Sequence, residues 1–422
     1  MMTPKKATLL IKNIGQLVTM SGPVPRRGMD MRELGLLADA GVAICKDTII
    51  AVGASEEIER GTPLVEGADV IDAEGKVVTP GLIDPHTHPV FAMTREAEFE
   101  MRTLGKSYEE IAAAGGGIRA SVRDLREASS NTLIEKTRGR LDRLLAHGVT
   151  TIEAKSGYGL STEAELKSLK VIQALNESHP VDLVPTFLGA HEVPDEYRDN
   201  REAYIDILIN EMIPAVVEQK LAEYSDIFCE KDVYSIDESR RIQQAAKDAG
   251  LKLRFHVDEL AGSGGAELAA EMKARTADHL VYASDTGIKA LAASGTVAVL
   301  LPGTTFSLRG KQYAPARKMI EAGVTVALST DCNPGYSYTE SLPLIVSLAC
   351  LQMRLTAAEA LSAVTVNAAV AIDRGDRIGR IEPDMQADVV IWDMADYREL
   401  PYHYGVNLVS QVIKNGKVVV RR

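Results

Sequence analysis

The chain has 422 residues, 45% of them hydrophobic and 25% charged, and its 47 Lys and Arg against 59 Asp and Glu give a net charge of −12. That usage excludes disorder as the main state, and the length suits two or three domains whose cores need no disulfide staples. The acidic balance argues against a nucleic-acid partner, because phosphate binding needs clustered Lys and Arg, and it leaves a small-molecule ligand open.

Lys5 and Lys6 precede a short apolar run that Lys12 interrupts, too short for a signal-peptide core. No stretch reaches the ~18 apolar residues of a membrane span. The cysteines, Cys45, Cys229, Cys332 and Cys350, form no C-x-x-C pair and predict a reduced, cytoplasmic protein. Short strands with turns follow at 8–12, 41–45, 48–52, 69–72 and 76–79, a small β domain. From residue 81 the pattern becomes strand, loop, helix. Eight apolar runs lie at 82–88, 149–155, 182–188, 225–230, 251–257, 276–281, 296–302 and 324–330. The longest connection, after the first run, holds residues 108–117 and a long helix to His147. Thr162 with Glu165, Ser235 with Glu238 and Thr356 with Glu359 have capping-box spacing, while Gly250 and Gly323 mark helix ends. Beyond residue 378 the β pattern returns at 388–392 and 416–420. The predicted fold is therefore α/β. A (β/α)8 TIM-type barrel spans 81–377, beside a small β-sandwich-like domain built from both chain ends, 1–80 with 378–422.

Barrel enzymes carry their chemistry at the C-terminal ends of the strands. Five of the eight histidines fall at or just beyond such ends: His86, His88, His191, His256 and His279. His147, His179 and His403 have structural readings, as a helix C-terminus, a loop and part of a C-terminal turn. His86 and His88 alternate, so they share one face, with Thr87 on the other. With His256 and Asp331 they suit one divalent transition metal, zinc or iron. Such an ion lowers the pKa of water toward ~7, and Asp331, Glu259 or His279 can then move a proton or polarise a carbonyl. Lys155 reads as a charge at the rim or the substrate side. The glycines at 115–117 and 262–265 match no phosphate-loop pattern and read as turns.

These residues resemble the one-metal amidohydrolases of the cytosine-deaminase-like arrangement. Longer strings at 153–160, 187–191, 301–306, 331–335 and 401–407 resemble the imidazolonepropionase family over nearly the whole chain. The resemblance implies hydrolysis of the cyclic amide C–N bond of 4-imidazolone-5-propanoate to N-formimidoyl-L-glutamate, in histidine degradation. It implies metal ligation by His86, His88, His256 and Asp331, and substrate contacts from Arg95, Tyr158, His191 and Glu259, with Asn333 and Gly335 near the product. His279 matches a histidine close to the metal, and the superfamily implies a homodimer. Arg95 offers a planar fork for the propanoate carboxylate. Glu259, His279, Asp331 and His191 are the expected catalytic group. The chain departs from the family at Tyr336, where a small Ser or Thr is usual, at Tyr338 in place of Pro, and at Met93 and Thr94. The Tyr336 hydroxyl is expected to replace the missing small one. Rival readings are another hydrolase on this scaffold, such as a nucleobase deaminase, and a non-catalytic scaffold protein.

Overall fold

The computed structural model describes residues 5–106, 110 and 115–422, so most of the expected 108–114 segment lies outside the described residues. Two eight-stranded sheets organise the chain. The first comes from both ends: β1 (Ala7–Val18), β2 (Leu36–Cys45), β3 (Thr48–Ala54), β4 (Leu64–Asp72) and β5 (Val77–Pro80) join β14 (Val389–Trp392), β15 (Val409–Lys414) and β16 (Lys417–Arg421). Its order is β16-β15-β14-β5-β1-β2-β3, with β4 also paired to β1. A core of Leu9, Ile11, Ile14, Leu17, Val42, Ile44, Val389 and Ile413 holds it together.

β1 runs well past the expected 8–12 because a bulge between Ile11 and Ile14, with Asn13 at φ 53°, lets it bend and continue. Gly15 permits that path, since a Cβ there would fall 2.0 Å from the Gly75 carbonyl oxygen. β15 was not expected. It pairs with β16 through an Asn415-Gly416 turn with φ of 50° and 70°, the dipeptide that favours a tight hairpin.

The second sheet runs in sequence order through β6 (Leu82–Asp84), β7 (Val149–Lys155), β8 (Asp182–Ala190), β9 (Tyr224–Cys229), β10 (Lys252–Val257), β11 (Thr276–His279), β12 (Val297–Leu300) and β13 (Val326–Leu328). Every neighbouring pair is parallel. This is the expected (β/α)8 barrel. Its first and last strands are shorter than the apolar runs suggested. Pro85 has no N–H for the ladder, and past Leu328 the Ser329 and Thr330 groups turn to Asp84. Polar bonds close the seam between β13 and β6. The buried Asp84 carboxylate accepts from the Ser329 hydroxyl, from Thr330 N at 3.0 Å and from Thr330 Oγ1 at 2.6 Å.

Of the three expected capping boxes, two form. Ser235–Glu238 and Thr356–Glu359 form full capping boxes. The helix Thr162–Ser178 instead takes Ser161 as its N-cap, and Glu165 serves elsewhere. The expectation failed because Glu165 is buried beside a loop with unpaired N–H groups. His147 is the C-cap of the helix Ser130–Ala146, as read. His403 is exposed, and beyond it Asn407 Nδ2 donates to the Ala146 carbonyl at 2.8 Å, covering that helix end. Trp392, fully buried, donates from Nε1 to Thr79 Oγ1 at 2.9 Å and packs over Gly148, where a Cβ would meet its ring at 3.3 Å. This contact joins the β domain to the base of the barrel.

Candidate active site

The strand ends converge on one cluster. His86 and His88 follow β6 and are gripped from two sides. Ser329 Oγ receives His86 N at 2.9 Å and the Cys332 carbonyl receives His88 N at 3.0 Å. On the other flank Glu153 of β7 takes Thr87 N at 3.2 Å and Thr87 Oγ1 at its carbonyl, 2.6 Å away. The His88 Nε2 lies 3.3 Å from both His86 Nε2 and His256 Nε2. Asp331 Oδ1 stands 3.5 Å from Nε2 of both His86 and His88.

His86 turns Nδ1 to Asp278 Oδ2 at 2.6 Å, and His256 Nδ1 is 3.0 Å from Asp226 Oδ2. Asp278 can accept a proton from His86 Nδ1 and Asp226 lies beside His256 Nδ1, so both rings turn Nε2 into the cluster. Burial pushes the His86 and His88 pKa values well below the ordinary range, so protonation does not relieve the crowding. Three Nε2 atoms at this spacing, with a carboxylate oxygen beside them, could hold a cation. Three imidazoles and one carboxylate fit a divalent transition metal. His86, His88 and Asp331 form one group with metal-ligand spacing, and His86, His256 and His279 another.

Above the cluster opens a small cavity of about 80 Å³. Of the expected substrate residues, Arg95, Tyr158, His191, Glu259, Asn333 and Tyr336 line it, with His279 and Asp331 on its floor. Gly335 instead seats Arg95: a Cβ there would fall 1.6 Å from Arg95 Nη2. Arg95 is held 3.7 Å from Glu98, and its buried Nε has no hydrogen-bond partner among the described residues. The Tyr336 ring lies 5.8 Å from the Arg95 guanidinium carbon and 5.6 Å from that of Arg102. Tyr338 points elsewhere, edge-on to Phe91 with centroids 5.6 Å apart. Asn333 builds its own loop, accepting Gly335 N and Tyr336 N at 2.8 Å each.

The family model described as the amidohydrolase family matches residues 77–419. An imidazolonepropionase of Alkaliphilus metalliredigens (strain QYMF) is 51% identical over 413 residues, 98% of each chain. One from Geobacillus sp. (strain WCH70) is 52% identical over 416 residues, again 98% of each. The chain belongs to the amidohydrolase family, in its imidazolonepropionase branch. Among solved structures, a zinc-bound adenosine deaminase from Xanthomonas campestris superposes with a TM-score of 0.76 at 18% identity, covering 99% of this chain and 94% of that one. E. coli guanine deaminase gives 0.73 at 15% identity, covering 98% and 99%. These two share the fold.

The amidohydrolase site is electrostatically tuned by burial. Glu259 is pushed well above the usual carboxylate range by burial, with Asp331 and Glu230 adding to the shift. It stands 3.6 Å from His279 Nε2. His191 is lowered to about 3 by burial and by His256, so its ring is neutral. Its Nδ1 faces the Gly157 carbonyl at 2.9 Å and its ring stacks on His88 at 5.2 Å. Burial raises Tyr158, which stays a neutral phenol.

Several supporting residues were not expected. Glu230, just past β9, accepts Glu259 N at 2.8 Å and Leu260 N at 2.9 Å, fixing the turn that carries Glu259. Glu165 accepts Gly157 N, Gly159 N and Leu160 N at 3.0, 2.7 and 2.9 Å, fixing the loop that carries Tyr158. Thr304 Oγ1 donates to Asp331 Oδ2 at 2.5 Å. Asp258 caps the turn at 262–265, accepting Ser263 N and Ala266 N at 2.9 and 3.0 Å, so that glycine stretch is a turn as read. Lys155 corrects an expectation. It is not at the rim but fully buried within the barrel, with Nζ 2.8 Å from Glu153 Oε1 and 2.7 Å from Asp226 Oδ2. A sequence signal existed: Glu153 with Lys155, and Arg254 with His256, are polar pairs at alternate positions of apolar strands, which puts each pair on the barrel's inner face.

Proposed function

We propose that this chain is a metal-dependent imidazolonepropionase, adding water to the ring amide of 4-imidazolone-5-propanoate. The observation that carries this reading is one cavity bounded by a histidine cluster able to hold a cation, a buried acid and a guanidinium with a spare donor. The named relatives supply the substrate. His86, His88, His256 and Asp331 would hold the ion, zinc or iron, whose chemistry when bound is Lewis-acid polarisation and a lowered water pKa. Arg95 pairs with the propanoate carboxylate, which sets the ring against the floor of the cavity. Tyr158, His191 and Tyr336 enclose the ring and exclude bulk water, and Asn333 with Gly335 keep Tyr336 and Arg95 in register. Neutral His191 and His279 offer hydrogen bonds to the ring carbonyl and the attacking water. Water oxygen bonds to the carbonyl carbon, the carbon–nitrogen bond breaks, and the freed nitrogen needs one proton. Glu259, held by Glu230 through the backbone, supplies that proton and recovers one from the water. The product, N-formimidoyl-L-glutamate, carries a second carboxylate.

Among the described residues no helix is long and apolar enough to cross a membrane, and the cysteines are free, in keeping with a cytoplasmic location. The same reading includes a homodimer, which light scattering on the purified chain tests. The deciding assay measures hydrolysis of imidazolonepropanoate against guanine, cytosine and adenosine, before and after chelation. Turnover of the imidazolone alone, lost with chelator and restored by zinc or ferrous ion, is expected. Turnover of a nucleobase in its place selects a deaminase, and no turnover with any metal selects a binding protein.

A further inference from the structure

Beneath the histidine cluster lies a layer of charged side chains that the reaction does not use. Lys155, Glu153, Asp226, Arg254 and Asp278 are all fully or almost fully buried. Lys155 Nζ bridges Glu153 Oε1 at 2.8 Å and Asp226 Oδ2 at 2.7 Å. The other Glu153 oxygen receives the N–H of Thr87, between His86 and His88. The same Asp226 oxygen faces His256 Nδ1 at 3.0 Å. One ammonium therefore joins the β6 arm of the cluster to the β10 arm. Arg254 makes a second link, with Nε 3.6 Å from Glu153 Oε1 and Nη2 3.5 Å from Asp278 Oδ2, the carboxylate that orients His86.

We propose that Lys155 is a positioning residue that presets the metal site, by tying the Glu153–Thr87 support of His86 and His88 to the Asp226 support of His256. It touches no substrate and acts through these two carboxylates. The inference rests on the metal reading of the cluster but not on the identity of the substrate. Two effects of removing Lys155 oppose each other, and that makes the idea decidable. Loss of a nearby positive charge alone would tighten binding of a cation. Loss of the bridge lets two buried carboxylates repel and swing away, which releases Thr87 and His256 and weakens binding. Outer-shell partners of metal ligands typically matter by ~10–100-fold in affinity.

The test is chelator competition with zinc on purified metal-free protein, for the parent, Lys155→Met and Glu153→Gln, with the unfolding midpoint of each metal-free form measured alongside. The parent comes first: if it binds no zinc, the metal reading itself fails. Given parental binding, both variants are expected to fold and to bind zinc ~10–100-fold more weakly. Zinc affinity equal to or tighter than the parent in a folded Lys155→Met overturns the proposal. If Lys155→Met does not fold, Glu153→Gln decides alone, since it keeps the ammonium but breaks its symmetric bridge. Unchanged affinity there overturns the proposal as well.

Discussion

Glu165 offers the most demanding test of how the cavity is built. Its carboxylate replaces solvent for three loop donors, Gly157 N, Gly159 N and Leu160 N. Glu165→Ala would leave all three buried N–H groups without an acceptor. Each such orphan costs about 1–3 kcal/mol, and partial entry of water reduces the sum to about 3–5 kcal/mol. That is a large part of the ~5–15 kcal/mol that keeps a domain folded. The functional cost is separate. The loop carries Tyr158, and its Gly157 carbonyl faces His191 Nδ1 at 2.9 Å. A loosened loop lets both rings drift, so KM should rise more than kcat falls. Glu165→Gln retains a carbonyl acceptor for part of the set and should fall between parent and Glu165→Ala. Urea unfolding at pH 7 and steady-state kinetics on imidazolonepropanoate read the two effects. A Glu165→Ala protein within about 1 kcal/mol of the parent, with unmoved KM, would refute the reasoning.

Four further outcomes are expected. Glu259→Gln removes the proton carrier and should lower kcat by ~10²–10⁴, with zinc affinity kept; full activity would remove Glu259 from the mechanism. Arg95→Met should raise KM by about 10–100-fold through the lost carboxylate pair, worth ~1.5–3 kcal/mol, and an unchanged KM would place the propanoate elsewhere. Tyr336→Phe should reduce turnover if the phenol replaces the family's small hydroxyl, and identical kinetics would leave only its ring packing beside Arg95 and Arg102. Glu359 tests pH dependence: burial alone would raise it, but the Arg317 fork, Thr356 N–H and Arg32 outweigh burial and hold it at about 2. Because its folded pKa is depressed, its stabilisation is complete above the ordinary carboxylate pKa and fades as pH falls toward about 2. The gap in urea midpoint between the parent and Glu359→Gln should therefore narrow on acidification below about pH 4; a constant gap would contradict the ion-pair account.

The sequence by itself determined the barrel and the inventory of its mouth. Period and punctuation place each barrel strand near its true position, because an apolar run bounded by turn residues has few other ways to bury itself. Histidines at strand ends announced the cluster for a related reason: that is where a barrel leaves side chains free to converge. Tertiary structure alone decided what local spacing misread. Thr162 and Glu165 have the spacing of a cap, yet Glu165 turns to the Tyr158 loop, since a buried carboxylate goes where the most unpaired donors are. Lys155 has the look of a rim charge, but strand alternation and closure of the barrel drive it inward between Glu153 and Asp226. Gly335, expected near the product, also seats Arg95, a contact that only packing reveals. Residue type and spacing fix which groups are available. Which partner each group finds depends on distances between strands far apart in sequence, and only the closed barrel sets those.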